Sequence, residues 1–268
     1  MATVEKAFDE GTERVEQFDQ TISDWTKVLE MDPGDADAYY NRGVAYREKG
    51  ELEQAMSDYS KALEIDPANV WAYLDRGIGC LVTGQLEQAI SDFTKALEID
   101  PEYDKAYMNR AVAYSIEGQM EQAFCDYAKA LELNPEDAST YYNRGLAYSV
   151  MGEWEQAITD FTKSLEIRPG DTNALFNRGM AYEEKGQWWQ AISDYSGTLE
   201  AEPENAVVWR KKGDALRNAG KDYDAIKAYE GFIKFALPES AEDVKEIKWV
   251  VKDLKYRVKG KYEEVAHC

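Results

Sequence analysis

Six times in this chain an eight-residue segment returns at a fixed distance. It reads Tyr-Tyr-Asn-Arg-Gly-Leu-Ala-Tyr at Tyr141–Tyr148, with close copies at Tyr39–Tyr46, Tyr73–Cys80, Tyr107–Tyr114 and Leu175–Tyr182 and a drifted one at Trp209–Leu216. Successive copies lie 34 residues apart. A constant period of this length excludes most single-core architectures. It implies one supersecondary unit, repeated, in which each copy buries its apolar face against its neighbours.

Six units follow the period: 36–69, 70–103, 104–137, 138–171, 172–205 and 206–239. Each reads as two helices. The first opens after Asp35, Asn69, Asp137, Asp171 or Asn205, whose side-chain oxygens accept free backbone N–H groups. Tyr103 interrupts this row, and Asp104 is predicted to cap in its place. The first helix ends at Gly50, Gly84, Gly118, Gly152, Gly186 or Gly220. The second ends before Pro67, Pro101, Pro135, Pro169 or Pro203, since proline cannot continue the donor ladder.

Small residues recur where two helices must approach: Gly43, Gly77, Ala111, Gly145, Gly179 and Gly213 on the first helix, Ala55, Ala89, Ala123, Ala157, Ala191 and Ala225 on the second. Tyr59, Phe93, Tyr127, Phe161, Tyr195 and Tyr229 fill the remaining volume. This order of aromatic, Gly, Tyr, Ala, aromatic, Ala and Pro over 34 residues resembles the tetratricopeptide repeat, from about Glu16 to Glu239. Ser164, Thr198 and Phe232 depart from the later alanine, and Pro238 falls one place late. The resemblance implies an all-α fold, a right-handed α-solenoid of antiparallel helix pairs whose first helices line a concave face. The expected organisation is a degenerate N-terminal repeat over 1–35 with a well-kept second helix, six repeats over 36–239, and a capping helix and tail over 240–268. Residues 2–15 are expected to form a short or frayed helix. Ser240-Ala-Glu-Asp243 reads as a capping box ahead of Val244, Ile247, Val251, Leu254 and Val258 at helical spacing, with order fading from Lys259.

The net charge is −21, from 31 basic and 52 acidic residues. Acidic residues dominate the first 206 positions, and the remainder is slightly basic. Such a balance repels nucleic acid and anionic lipid, so neither is an expected partner. Cys80, Cys125 and Cys268 show no paired spacing and read as thiols of a reducing compartment. His267, the single histidine, is badly placed for a base or metal ligand. The opening Met-Ala-Thr-Val-Glu-Lys lacks the apolar core of a secretion signal, and no run reaches the ~18 apolar residues of a membrane span. Cytoplasmic residence is the expectation. No nucleophile–base pair, phosphate loop or metal-ligand spacing is present, so neither catalysis nor a cofactor is expected.

Three rows of side chains compete for function. Arg42, Arg76, Arg110, Arg144 and Arg178, with Lys212 in sixth place, form either an anion-binding stripe or half of a structural ladder. Asp24, Asp58, Asp92, Asp126, Asp160 and Asp194 form the other half. The first unit has the Asp without the Arg, and the last has Lys212 with Ala228 in place of Asp. Only pairing each base with the Asp of the preceding unit, Arg42–Asp24 through Lys212–Asp194, leaves none unpaired, so inter-repeat bridges are predicted. The second row is Asn41, Asp75, Asn109, Asn143, Asn177 and Lys211, which the family resemblance places on the concave face. A carboxamide donates and accepts, so such a row either holds the backbone of an extended peptide or bonds a neighbouring repeat. The third is an apolar lining implied by the same resemblance, including Tyr40, Trp71, Leu74, Tyr142 and Phe176, flanked by Glu48 and Asp37 at one end and Arg210, Lys211 and Arg217 at the other. Trp189 stands among charged counterparts and reads as a packing contact or a second docking spot.

The predicted function is therefore a non-enzymatic protein–protein adaptor or scaffold. Its peptide-binding residues would be Asn41, Asn109, Asn143, Asn177, Tyr40, Trp71, Leu74, Tyr142, Phe176, Arg210 and Lys211, and its partner a protein segment that is basic or carries apolar anchors. A self-assembling scaffold, oligomerising through the array ends, and a regulatory arm of a larger enzyme or chaperone co-factor are the alternatives. Some members of the resembled family clamp the C-terminal carboxylate of chaperones with a Lys–Asn pair. Here Tyr142 and Leu146 occupy those places, and only Asn177 and Lys211 match.

Overall fold

The computed structural model describes residues 2–266, with side chains from Val15 to Lys259. The readings of His267 and Cys268 lie outside the described residues. Fourteen α-helices and one 3-10 turn account for nearly all of them, with no strand among the described residues. The helices group into two compact units, Met1–Pro135 and Glu136–Cys268, and the division falls between the third and fourth full repeats.

In the first unit, α1 (Ala2–Met31) leads into three hairpins: α2 (Ala36–Lys49) with α3 (Leu52–Ile65), α4 (Val70–Val82) with α5 (Leu86–Ile99), and α6 (Asp104–Ile116) with α7 (Met120–Leu133). In the second, α8 (Ala138–Val150) pairs with α9 (Trp154–Ile167), α10 (Thr172–Glu184) with α11 (Trp188–Ala201), and α12 (Ala206–Asn218) with α13 (Asp222–Phe235). The turn Pro238–Ser240 then leads into α14 (Ala241–Ala266), which packs on α13.

Local chemistry sets these boundaries. Asp35 accepts the Ala38 amide at 2.9 Å, Asn69 that of Ala72 at 2.9 Å, and Asn205 that of Val208 at 3.2 Å. Asp104 does not take over capping from Tyr103. It is itself the first helical residue and bonds only the next amide, Lys105, while its second oxygen accepts from Asn134. Gly50 closes α2 with φ of 88°, donating to the Arg47 carbonyl at 2.9 Å, a conformation that a Cβ disfavours.

Each hairpin is closed by an aromatic ring pressed on the small residue of its first helix. A Cβ at Gly145 would lie 2.8 Å from Phe161, and one at Gly77 2.6 Å from Phe93. The aromatic row from Tyr59 to Tyr229 and the alanine row from Ala55 to Ala225 are fully buried. Burying each such ring is worth about 1.5–3 kcal/mol, the main stabilisation a unit of this size has. On α14, Ile247, Val251 and Leu254 are buried against Tyr229 and Phe232, while Lys245, Lys248, Lys252 and Lys255 face outward as predicted.

Two terminal expectations are corrected. Residues 2–15 are not a separate short helix, because α1 runs unbroken to Met31 and Gly11 makes no turn. The helix α14 likewise continues past Lys259 to Ala266.

The bridges predicted between repeats are also corrected. Each arginine pairs with the aspartate of its own hairpin, sixteen residues on: Arg42–Asp58, Arg76–Asp92, Arg110–Asp126, Arg144–Asp160 and Arg178–Asp194. All five are bidentate, with Nε and Nη2 on the two carboxylate oxygens at 2.7–2.9 Å. The close Gly–aromatic contact brings the two helices of one unit together at this level, and the planar guanidinium fork fits the facing carboxylate. The inter-repeat link exists but uses a different atom. Nη1 donates to a hydroxyl of the preceding repeat, Thr26 from Arg42, Ser60 from Arg76, Thr94 from Arg110 and Thr162 from Arg178. Tyrosines three before and four after flank Arg42, Arg110 and Arg144, as Tyr141 and Tyr148 do Arg144 at 5.7 and 6.0 Å, while Arg76 has only Tyr73 and Arg178 only Tyr182. The two ends of the ladder go their own way. Asp24 accepts from Gln20 and Lys27 of its own helix, and Lys212 lies 5.5 Å over Trp209, its ammonium pKa lowered by burial.

Candidate functional site

The guanidinium ladder is thus consumed by architecture, which leaves the side chains of the first helices one and two residues before it. The asparagines share one geometry. Asn41, Asn109 and Asn177 each donate Nδ2 to the carbonyl four residues earlier, at 2.8 Å to Asp37, Lys105 and Asn173. All three are partly buried, as is Asn143. With one donor tied to its own helix, each amide plane is fixed and its Oδ1 orientation set. Asn177 also donates to the Tyr142 hydroxyl at 3.1 Å, so this asparagine joins two successive repeats of the second unit.

The aromatic positions before them are shelves more than free anchors. Tyr40 leans on Tyr59, Tyr142 on Phe161 and Phe176 on Tyr195, with ring centroids 5.8–5.9 Å apart and tilts of 39–50°. Their outer edges stay open, since all three are only partly buried. Leu74, predicted to anchor a ligand, is 6% exposed and packs with Phe93, Ala96 and Ala106, so it belongs to the core. Trp71 is 59% exposed, and beyond it Val82, Ile116 and Val150 stand open at equivalent places in three repeats.

Arg210 is not a free rim charge. It pairs with Asp243 at 2.8 Å and reaches Glu246 at 3.7 Å, fastening α14 to α12. Lys211 pairs with Glu183 at 3.3 Å. Trp189 is exposed, with Lys221 Nζ 5.5 Å above its ring, and is not packed into a core.

Sequence reasoning missed the polar clusters between these positions. In the first unit Asp75 is buried where most units have Asn, and it accepts from the Tyr40 hydroxyl at 3.1 Å and from Arg47 at 2.5 Å. Burial pushes its carboxyl pKa up, against the pull of Arg47 and Tyr40. Burial, then Asp75, raises that of Tyr40. In the second unit Tyr195 donates to Glu183 at 2.7 Å and Tyr229 to Asp214 at 2.7 Å. The Tyr127 hydroxyl meets Ser115 at 3.5 Å, and burial pushes its pKa to about 12. A signal for them exists. Twelve residues before the core aromatic stand Arg47, Leu81, Ser115, Ser149, Glu183 and Arg217, and the ring is Phe opposite Leu81 and Ser149 but Tyr opposite the other four. Only Tyr127 and Tyr195 meet the residue at this place, Ser115 and Glu183; Tyr229 reaches Asp214 instead, the buried Tyr59 hydroxyl finds no partner among the described residues, and Phe161 carries no hydroxyl opposite the polar Ser149.

Comparison with known families agrees with this geometry. A model described as tetratricopeptide repeat matches residues 36–69 and 138–171, one described as TPR repeat matches 83–115 and 116–152, and a further tetratricopeptide repeat model matches 161–193. Together they span more than half of the chain. The chain is a tetratricopeptide repeat protein. No curated protein sequence matches it. Among solved structures, MamA is 32% identical with a TM-score of 0.54, over 64% of this chain and 93% of that one. YrrB, described as a TPR protein with an unusual peptide-binding site, is 26% identical with a TM-score of 0.53, over 69% of this chain and 95% of that one. PilW, a type IV pilus biogenesis factor, shares the fold at 18% identity, with a TM-score of 0.66 over 73% of this chain and 90% of that one.

As a tetratricopeptide repeat protein the chain is a protein-interaction scaffold in coarse terms. Among the described residues no group of His, Cys, Asp and Glu is placed to hold a metal ion, and no helix is long and apolar enough to cross a membrane.

Proposed function

We propose that this tetratricopeptide repeat protein is an adaptor whose repeats bind a protein segment through the side chains of their first helices. One observation carries the reading: Asn41, Asn109 and Asn177 are held alike, each with Nδ2 on the carbonyl four residues back at 2.8 Å. Preset carboxamide oxygens at the same place in every second repeat are acceptors for the backbone N–H groups of an extended peptide, and holding them in advance lowers the entropy lost on binding. Side chains of the segment rest on the open edges of Tyr40, Tyr142 and Phe176 and on exposed Trp71. The net charge of −21 favours a basic segment. The free Cys80 and Cys125 support a reducing, cytoplasmic setting.

The test is peptide selection on the immobilised full chain from a random display library, followed by affinity measurement on Asn109→Ala and Asn177→Ala. Selected peptides should lose at least tenfold in affinity on one or both variants, with thermal unfolding unchanged. Equal affinity on both would remove the asparagine row from the binding surface.

A further inference from the structure

The first repeat has only its second helix. The segment Glu16–Met31 of α1 aligns with α3, yet the residues before it extend the same helix and do not fold back as a first helix. The face a first helix would cover is still built for one. Thr21 and Trp25 stand at the positions of Ala55 and Tyr59, which are fully buried against Gly43 in the next repeat, whereas Thr21 and Trp25 are only partly buried. Between them and α2 lies an open cleft of about 460 Å³, lined by Phe18, Thr21, Trp25, Asn41, Val44 and Glu48 among others. Asp24 keeps the ladder carboxylate. Its five counterparts each take a bidentate arginine from their own first helix, and the Asp58 side chain is 7% exposed where that of Asp24 is 58% exposed. In place of an arginine Asp24 holds Lys27 and Gln20, surface contacts of its own helix that are readily given up.

We propose that this cleft receives an amphipathic helix of a partner protein, one that sets an arginine on Asp24 and a small residue beside Trp25, so completing the first repeat in trans. The chemistry of the occupant follows from the fold's own precedent. Five first helices in this chain present an arginine one residue before a glycine or alanine, and all five meet the aspartate sixteen residues on. An acidic carboxylate beside a cleft in which Phe18, Trp25 and Val44 lie among polar side chains selects the same two features, a guanidinium and a bare patch of helix, in an incoming one. Of the asparagine row this cleft is lined by Asn41 only, and Asn109 of α6 does not line it.

The probe is a synthetic peptide of residues 137–152 of this chain, which carries Arg144 and Gly145 at the required spacing, titrated into the full-length protein by fluorescence anisotropy. The wild-type probe should bind at least tenfold tighter than its Arg144→Ala form. Asp24→Ala in the protein should cost the same factor, and the two changes together no more than either alone. Thr21→Arg, which crowds the cleft from an exposed helix, should abolish binding. Equal binding to Asp24→Ala, or a loss caused by Asn109→Ala instead, overturns the proposal, the latter by placing the probe on the asparagine face. Two further results overturn it in favour of other occupants: stronger probe binding after deletion of residues 2–15 assigns the cleft to this chain's own N-terminal segment, and light scattering showing a dimer lost in Thr21→Arg assigns it to a second copy.

Discussion

Replacing Arg76 with Met should be among the costliest single changes in the first unit. Arg76 spans 2.7 and 2.8 Å to the two oxygens of Asp92, whose residue is 1% exposed, and also donates to Ser60 at 3.1 Å. The substitution leaves a buried carboxylate with Gln88 at 3.0 Å as its remaining described side-chain partner. Removing one member of a buried pair costs about 3–5 kcal/mol, because the desolvated charge stays behind. By contrast, Lys95→Met breaks the pair with Glu98, whose members are 52% and 57% exposed, and should leave the urea midpoint nearly unchanged. The pairing itself is tested by double-mutant cycles. Arg76 should couple to Asp92 by roughly 0.5–3 kcal/mol and be nearly additive with Asp58, the carboxylate of the preceding repeat. Urea unfolding by circular dichroism gives the global figure. Hydrogen exchange in α4 and α5 gives the local one, needed because repeat arrays open in parts. A cost for Arg76→Met below about 1 kcal/mol, or a stronger coupling to Asp58 than to Asp92, would refute the assignment of these pairs to single hairpins.

Three further outcomes follow from the same contacts. Gly145→Ala puts a Cβ 2.8 Å from Phe161 and should cost about 1–3 kcal/mol by overpacking, reduced by the ~0.5–1 kcal/mol that alanine gains over glycine inside a helix; a stabilised variant in urea unfolding would contradict this packing. Asp75→Asn should alter the pH dependence of stability in one direction. The folded carboxyl lies above its ordinary value of 3.8, so wild type gains on the variant as pH falls, the gain being complete below 3.8 and lost as pH rises through the folded value; a flat or opposite difference between their Tm–pH curves would contradict it. Arg210→Ala should change global stability by only about 0–1 kcal/mol, since its pair with Asp243 is partly exposed, yet speed amide exchange across Val244–Leu254; unchanged exchange there would remove its role as the fastening of α14.

Much of the fold is legible in the sequence because the determinants are local and repeated. Asp35, Gly50 and Pro67 mark a cap, a left-handed turn and a stop by their own chemistry, and the 34-residue period repeats each signal several times. Tyr103 and Asp104 show the limit: an acidic residue one place late begins the helix and caps nothing. Long-range pairing is less legible. Leu74 occupies the same place as Tyr40, Tyr142 and Phe176, but lacks the ring that carries those side chains past the hairpin core, so it is buried where they are not. Arg210 was equally obscure, because its partner Asp243 comes from α14, outside the repeat.

The ladder of arginines and aspartates holds the sharper lesson. Counting partners favours the pairing that leaves no residue alone, but folding obeys geometry within each hairpin and imposes no such sum rule. The close contact of the small residue with the aromatic ring sets the Arg–Asp distance inside the five units that carry both residues, and the end units take what is left. At the C-terminal end Lys212 meets Ala228 in place of the aspartate, and its ammonium rests over Trp209. At the N-terminal end Asp24 holds Lys27 and Gln20 of its own exposed helix face, and α1 lies beside an open cleft with no first helix. A residue that is structural in five repeats therefore changes meaning in the sixth copy. The geometry that consumes Asp58 through Asp194 internally leaves Asp24 as the one ladder carboxylate open to an arginine from outside.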